Sequence, residues 1–493
     1  MTSEHANERL TPPLAATPIA ALVLMLAGAV YLFGADASYG ANQIALVLAT
    51  FLAALVGWRT GIDWHTAQAG IVDGIGVGLT PTLILLAVGM LIGSWILAGT
   101  VPTMIFYGVG LLDPRFFYAA AAVICAVVAL SIGSSWTVAG TLGIGLMGIA
   151  GSFGLSPAIT AGAIVSGAYF GDKMSPMSDT TNLAAASAGV DLFDHIRHML
   201  WTTVPAFLFA VLVLALTGSG ADGEPVQIAR LRDSLAREFD PGPHLLLPLA
   251  LMLFLVYRRF PAYPAIVLSA AAGGVMALLF QPEQVARLGG DAPGGAAGAQ
   301  ARGLWAALAD GYRSDSGSDD LDRLLSKGGM SSMLNTVWLI LCALGFGGIL
   351  ERTGILTFWL EFALRGVRST GSLVATTVVT CVGTNSMAAD QFLSLALSGR
   401  MFRRAYLERG LSPLNLSRSL EDSATLTSAL IPWNTCGAYM SATLGVATLS
   451  YAPYAFFNLA CPLLAVLYGF AGFAQKPLEG KTAGRASSRS EPP

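Results

Sequence analysis

The stretch "GDKMSPMSDTTN" (residues 171–182) packs two acids, a lysine and a run of hydroxyl side chains into a chain that is otherwise strongly apolar. The 493 residues are 54% hydrophobic and only 12% charged, against about 25% charged in an ordinary soluble protein. Mean hydropathy is +0.64. This is the composition of an integral membrane protein. An ionised carboxylate at membrane depth costs several kcal/mol, so Asp172 and Asp179 must face a cavity or a partner rather than lipid. Pro176 shows how a site could be built there. Proline lacks an N–H and its ring clashes with the carbonyl four residues back, here that of Asp172, so the helix should break and leave polar backbone free. Unwound backbone at membrane depth is tolerated where it lines a cavity.

Working outward, eleven apolar runs approach the roughly 20 residues that cross about 30 Å of hydrocarbon. The first is residues 18–34, and the later ones include 372–381, 427–446 and 453–473. The expected fold is all-α and polytopic, with roughly 11 spans, two inverted repeats, re-entrant hairpins and broken helices. Its parts are an N-terminal arm (1–17), a membrane half (18–281, its repeat about 79–199), a Gly/Ala/Asp-rich external loop (282–330), a second membrane half (331–474) and a cytoplasmic tail (475–493). Ala35 and Ala37 follow the first run like a cleavage site, but acids precede it and Arg9 supplies the only firm positive charge, so an uncleaved span is expected. Lys and Arg are retained in the cytoplasm. That places "YRRF" (257–260), the cluster Arg400, Arg403, Arg404 and Arg409, and the tail bases Lys476, Lys481, Arg485 and Arg489 inside. The loop 282–329, with seven acids and five bases, reads as an outside linker.

The two halves echo each other. Gly93 pairs with Gly347 at an offset of 254, Gly133 with Gly383 at 250 and Asp172 with Asp422 at 250, by subtraction of their numbers. Such internal symmetry is common in secondary transporters, and the charge map makes the repeats inverted. Pro432, near Asn434, should break the second half as Pro176 breaks the first. At an offset of 250 the two prolines are not mates.

The oxygen ligands gathered here suit a hard monovalent cation. Asp172, Ser175, Ser178, Asp179, Thr180, Thr181 and Asn182 offer carboxylate, hydroxyl and amide oxygens, and the second half adds Asp390, Glu421, Asp422 and Asn434. Sodium, lithium or protons fit; a soft metal does not. Na⁺ is expected at Asp172 and Asp179.

Residues 166–199, "SGAYFGDKMSPMSDTTNLAAASAGVDLFDHIRHM", closely resemble the signature region of the NhaC family of sodium/proton antiporters, in the ion-transporter superfamily. Looser likeness extends through "GSSWTVAGTLG" (133–143), "VGTNSMAADQF" (382–392) and "SRSLEDSATLTSALIPWNTCGAYM" (417–440). The resemblance implies a scaffold and a moving transport domain with re-entrant hairpins, and it implies that these polar residues border the transport site. The implied activity is exchange of Na⁺ for H⁺ across an inner membrane by alternating access. Relatives that exchange malate for lactate or carry amino acids leave a second reading open. In that reading the hairpin tips, Ser134, Ser135, Thr137, Thr384, Asn385 and Ser386, hold an organic acid or amino acid coupled to Na⁺ or H⁺.

Other features exclude function classes. The net charge of −3 and the lack of a basic aromatic stripe argue against nucleic acid. Cys125, Cys342, Cys381, Cys436 and Cys461 are scattered singly and read as small core residues. His195 and His198 read as part of a solvated helix end with Asp194 and Arg197. "GIGVG" (74–78) and "GTLGIG" (140–145) do not follow strands, so they read as close helix packing rather than nucleotide loops. No nucleophile and base set, metal motif or cofactor site is visible, and no enzyme is expected. The partners are Na⁺, H⁺ and the lipid bilayer, with a homodimer left open.

Overall fold

The computed structural model describes residues 10–33, 40–218, 225–317 and 319–478. Arg9, Ala35, Ala37, Lys481, Arg485 and Arg489 lie outside them. Among the described residues all extended regular structure is helical, and one isolated antiparallel bridge joins Leu411 to Pro477. Among the described residues seven helices are long and apolar enough to cross a membrane, or up to nine if each of two sharply bent pairs counts as a span. The bent pairs are Arg232–Phe239 with Pro243–Tyr257, at 86°, and Thr448–Tyr454 with Phe456–Ala471, at 60°. Two of the eleven runs fall short for visible reasons. Residues 427–446 are split between the helices Leu426–Ser428 and Thr435–Leu444, and residues 372–381 lie in a helix, Thr370–Ala388, rich in Thr, Ser and Asn. The first span begins earlier than expected, as Pro12–Phe33.

Two successions of helices repeat each other element by element. In the first half a long helix, Leu79–Leu97, is followed across Gly99 by a short one, Thr100–Leu111, and then by a helix through Ile132 whose entry is capped by Asp113. In the second, Leu334–Arg352 is followed across Gly354 by Ile355–Leu364 and by Thr370–Ala388, capped by Ser369. Each third helix ends on a left-handed residue, Gly133 at φ 74° or Ala389 at φ 57°. The next helix starts on a side-chain cap, Ser134 or Asp390. Ser156 with Pro157, and Ser412 with Pro413, open the following helix. After a break a further helix ends on left-handed Gly189 or Gly445. From Asp113 and Ser369 onward these landmarks keep an offset of 256 (369 minus 113, 389 minus 133, 413 minus 157, 445 minus 189).

The structure therefore corrects the register read from sequence by six residues. Gly383 is not the mate of Gly133, because the helix Thr370–Ala388 runs straight through it where the first-half helix stops. Asp172 matches Ser428, not Asp422. Pro176 and Pro432 are mates after all, since 432 minus 176 is 256.

Segment 282–330 also departs from expectation. Instead of a linker it folds into the helices Pro282–Gly289, Gly295–Asp310 and Asp319–Leu325 and docks on Leu79–Leu97, where the Gly329 N–H donates to the Gly89 carbonyl at 2.7 Å. Its Gly and Ala content is the reason, because small residues let backbones touch. A Cβ on Gly303 would sit 1.9 Å from the Val285 oxygen. The same device joins Pro157–Met174 to Phe117–Ile132 at Gly167, where a Cβ would meet the Ala122 oxygen at 2.0 Å. The glycine-rich 74–78 and 140–145 lie against neighbouring helices as expected, Gly74 on Gly348 and Gly143 on Leu444. All five cysteines are free, and four are buried.

Candidate functional site

The first break is held open by its own side chains. Pro157–Met174 ends at Ser175, whose N–H reaches the Asp172 carbonyl in a tightened turn of 3.2 Å. Pro176 then forbids continuation. The carbonyls left over at a helix end need donors. Thr181 Oγ1 donates to the Lys173 carbonyl at 3.0 Å, and Asn182 Nδ2 donates to those of Pro176 at 3.0 Å and Ser178 at 2.8 Å. Ser178 then opens the helix Asp179–Ala188, with Asp179 in its positive first turn and the Ser178 and Thr180 hydroxyls 2.9 Å apart.

Asp172 meets the start of the preceding hairpin. Its Oδ2 accepts from the Ser135 N–H at 3.1 Å and the Ser135 hydroxyl at 2.6 Å. Ser134 caps the same helix start by accepting from the Thr137 N–H at 3.2 Å and hydroxyl at 3.0 Å. A carboxylate at a helix N-terminus is electrostatically favoured. Gly133 makes the approach possible, because a Cβ there would lie 2.8 Å from the Met177 backbone. Together these elements wall a cavity of about 820 Å³. Of the residues expected at the site it is lined by Asp172, Ser178, Asp179, Thr180, Asn182, Ser134, Ser135 and Thr137. Asp172 is 7% exposed, whereas Asp179 is open to the cavity mouth. Ser175 and Thr181 are buried behind this wall, Thr181 engaged with the break.

The second-half residues are placed differently. Asp422 is fully buried and ion-paired to Lys173, also fully buried, and it accepts the Thr202 hydroxyl at 2.9 Å. Lys173 also reaches the Cys461 sulfur at 3.6 Å. Glu421, beside Asp422 in the π-helical segment Glu421–Thr425, is buried with neither carboxylate oxygen hydrogen-bonded. Asp390 caps Leu393 at 2.8 Å and borders a smaller cavity of about 410 Å³ with Asp73, Glu351 and Arg352. Thr384, Asn385 and Ser386 are not at a hairpin tip. They sit in the last turns of Thr370–Ala388, and the turn that matches Ser134 is at Asp390. Asn385 Nδ2 donates to the Ala424 carbonyl at 2.6 Å, and Asn434 Nδ2 to the Asn385 carbonyl at 3.1 Å, so these two amides tie the second break to that helix.

At the position of Ser135 the second repeat has Gln391, which accepts from the Ser428 hydroxyl at 3.3 Å, so the Ser135 to Asp172 contact recurs without a carboxylate. Sequence reasoning passed over Lys173, Thr202, Gln391 and Arg259. A lysine inside an apolar run demands a partner and was the available signal for Lys173. The histidines are also corrected. Asp194 and Arg197 are exposed, but His195 is fully buried and the part-buried His198 contacts Asn415 Oδ1 at 3.1 Å, because they lie on the inner face of the same helix.

The family model described as the Na⁺/H⁺ antiporter family matches residues 167–473. The Na⁺/H⁺ antiporter NhaC of Alkalihalophilus pseudofirmus is 37% identical over 432 residues, covering 87% of this chain and 90% of that protein. The malate-2H⁺/Na⁺-lactate antiporter of Bacillus subtilis is 35% identical, with 87% and 89% covered. The arginine/ornithine antiporter ArcD of Halobacterium salinarum is 36% identical, with 92% and 91% covered.

Proposed function

The chain belongs to the Na⁺/H⁺ antiporter family, and from that premise we propose that it exchanges Na⁺ for H⁺ across the cell's inner membrane by alternating access. The observation that carries the reading is Asp172. It is a buried carboxylate between a helix break and a helix start, in a cavity whose hydroxyls, two amides (Asn182 and Gln391) and second acid supply oxygens, with Arg259 also in the lining. These hard oxygen donors suit Na⁺, with Asp179 assisting. Asp172 holds either Na⁺ or a proton. If the loaded carboxylate is presented alternately to the two sides, that competition becomes exchange, driven by the steeper gradient.

Of the cavity lining, Arg259 and Phe260 belong to the segment 257–260 that the charge rule puts in the cytoplasm, so this conformation is read as inward-facing. The inverted orientation of the repeats and a homodimeric assembly belong to the same reading. Proteoliposomes with an internal pH dye test it: a Na⁺ pulse should move protons with no organic solute present, and a flat trace would refute it. The second reading, transport of an organic acid or amino acid, is favoured by one observation. A cavity of about 820 Å³ is in the range that holds small organic molecules and far exceeds one ion's needs.

A further inference from the structure

Arg258 and Arg259 end the helix Leu247–Tyr257 and then part company. Arg258 lies over the Phe254 ring, 5.9 Å from its centroid. Arg259 has φ +58°. Its N–H bonds the Val256 carbonyl at 2.8 Å, and the Phe260 N–H bonds that of Leu255 at 2.9 Å, a helix closure whose left-handed residue is ordinarily glycine. An arginine holds a glycine's place here, and it borders the 820 Å³ cavity. Among the described residues it is the one Lys or Arg in that lining and belongs to none of the ion pairs.

The same cavity carries the cation-suited acids Asp172 and Asp179 and the neutral amide of Gln391, whose oxygen accepts from Ser428. A water takes about 30 Å³, so an ion with a few waters leaves most of the volume unfilled. A guanidinium is the side chain whose fork matches a carboxylate. We propose that Arg259 is the carboxylate-binding arm of this cavity, holding a small organic acid that shares the site with the cation at Asp172. The inference rests on reading the cavity as the transport site, and it gives the second reading its anion-recognising residue.

The test uses the full-length protein in neutral detergent with Na⁺, following thermal unfolding as L-lactate or L-malate is added. Wild type should show a saturating rise in midpoint. Arg259→Gln should weaken the apparent affinity at least about tenfold, and Arg259→Lys less, because a point charge replaces a fork. Arg259→Gly removes the left-handed strain, so it should unfold at an equal or higher temperature without acid and yet lose the acid-dependent rise. That pairing is one a merely structural arginine would not produce. No rise in wild type with either acid, or an undiminished rise in Arg259→Gln and Arg259→Gly, overturns the proposal. So does an Arg259-dependent rise produced by phosphatidylglycerol alone and not increased by either acid, which would assign the arginine to a lipid phosphate. Na⁺-driven proton movement by wild type is measured separately. Its absence would refute the antiport reading while leaving an Arg259-dependent acid response standing.

Discussion

Asp172 and Lys173 are adjacent in sequence and meet opposite surroundings. Asp172 turns to the cavity and the Ser135 helix start, while Lys173 turns into the core to Asp422. On the proposed mechanism the charge at the first position is the exchangeable one, so Asp172→Asn should abolish Na⁺-driven proton movement in proteoliposomes while expression and thermal stability stay near wild type. Undiminished exchange would remove Asp172 from the mechanism. At the second position the charge is fixed. Removing one member of a buried pair strands the other at a cost of about 3–5 kcal/mol, whereas removing both can be nearly neutral. Lys173→Met should therefore lower the unfolding temperature sharply, and Lys173→Met combined with Asp422→Asn should recover most of the loss. A double variant no more stable than the single would show that the pair does not carry the effect.

At the scale of elements, the two breaks are the same device built with different residues. Ahead of each break a helix ends left-handed where the hairpin starts, at Gly133 in one half and at Ala389, φ 57°, in the other. Left-handed backbone costs a residue with a Cβ about 1–2 kcal/mol. Ala389→Gly should therefore be neutral or raise thermal stability, by up to about 1 kcal/mol. Gly133→Ala adds the same strain together with a Cβ 2.8 Å from Met177, which separates the hairpin start from the break. It should lower stability by about 1–2 kcal/mol or more and weaken Na⁺ affinity. Equal responses to the two substitutions would mean that the close approach at Gly133 is unimportant.

For the whole molecule, competition of two ions for one carboxylate has a signature that no local measurement gives. Below the site's pKa each unit of falling pH multiplies the ratio of protonated to free carboxylate about tenfold, so the apparent KM for Na⁺ should rise about tenfold per unit as pH falls, with no organic solute required. A KM flat between about pH 6 and 9, with strict dependence on an added acid, would favour the solute reading instead. Topology is checked with single cysteines. Those near Gly295 should be labelled from outside and those near Arg403 only from inside; labelling of both from one face would remove the inverted arrangement.

The sequence by itself determined the membrane class, the helical fold, the family and the first break with Asp172, because each rests on local chemistry: hydropathy, a proline's missing N–H, and the cost of a charge in lipid. It also held the repeat register. "GLSP" occurs at 154–157 and again at 410–413, and both glycines are left-handed, at φ 66° and 71°. The markers chosen instead, Gly383 and Asp422, resemble their supposed mates in composition while occupying different places in the helices. Only the tertiary structure decided which acids share a cavity and which are locked in pairs. Asp422 and Lys173 are 249 residues apart, and nothing in either local sequence states that their helices touch. The docking of 282–330 and the turn of Arg259 toward the cavity were likewise decided by packing. Contacts between distant segments depend on how whole helices fit together, and an apolar sequence specifies that fit through shape rather than through any local pattern.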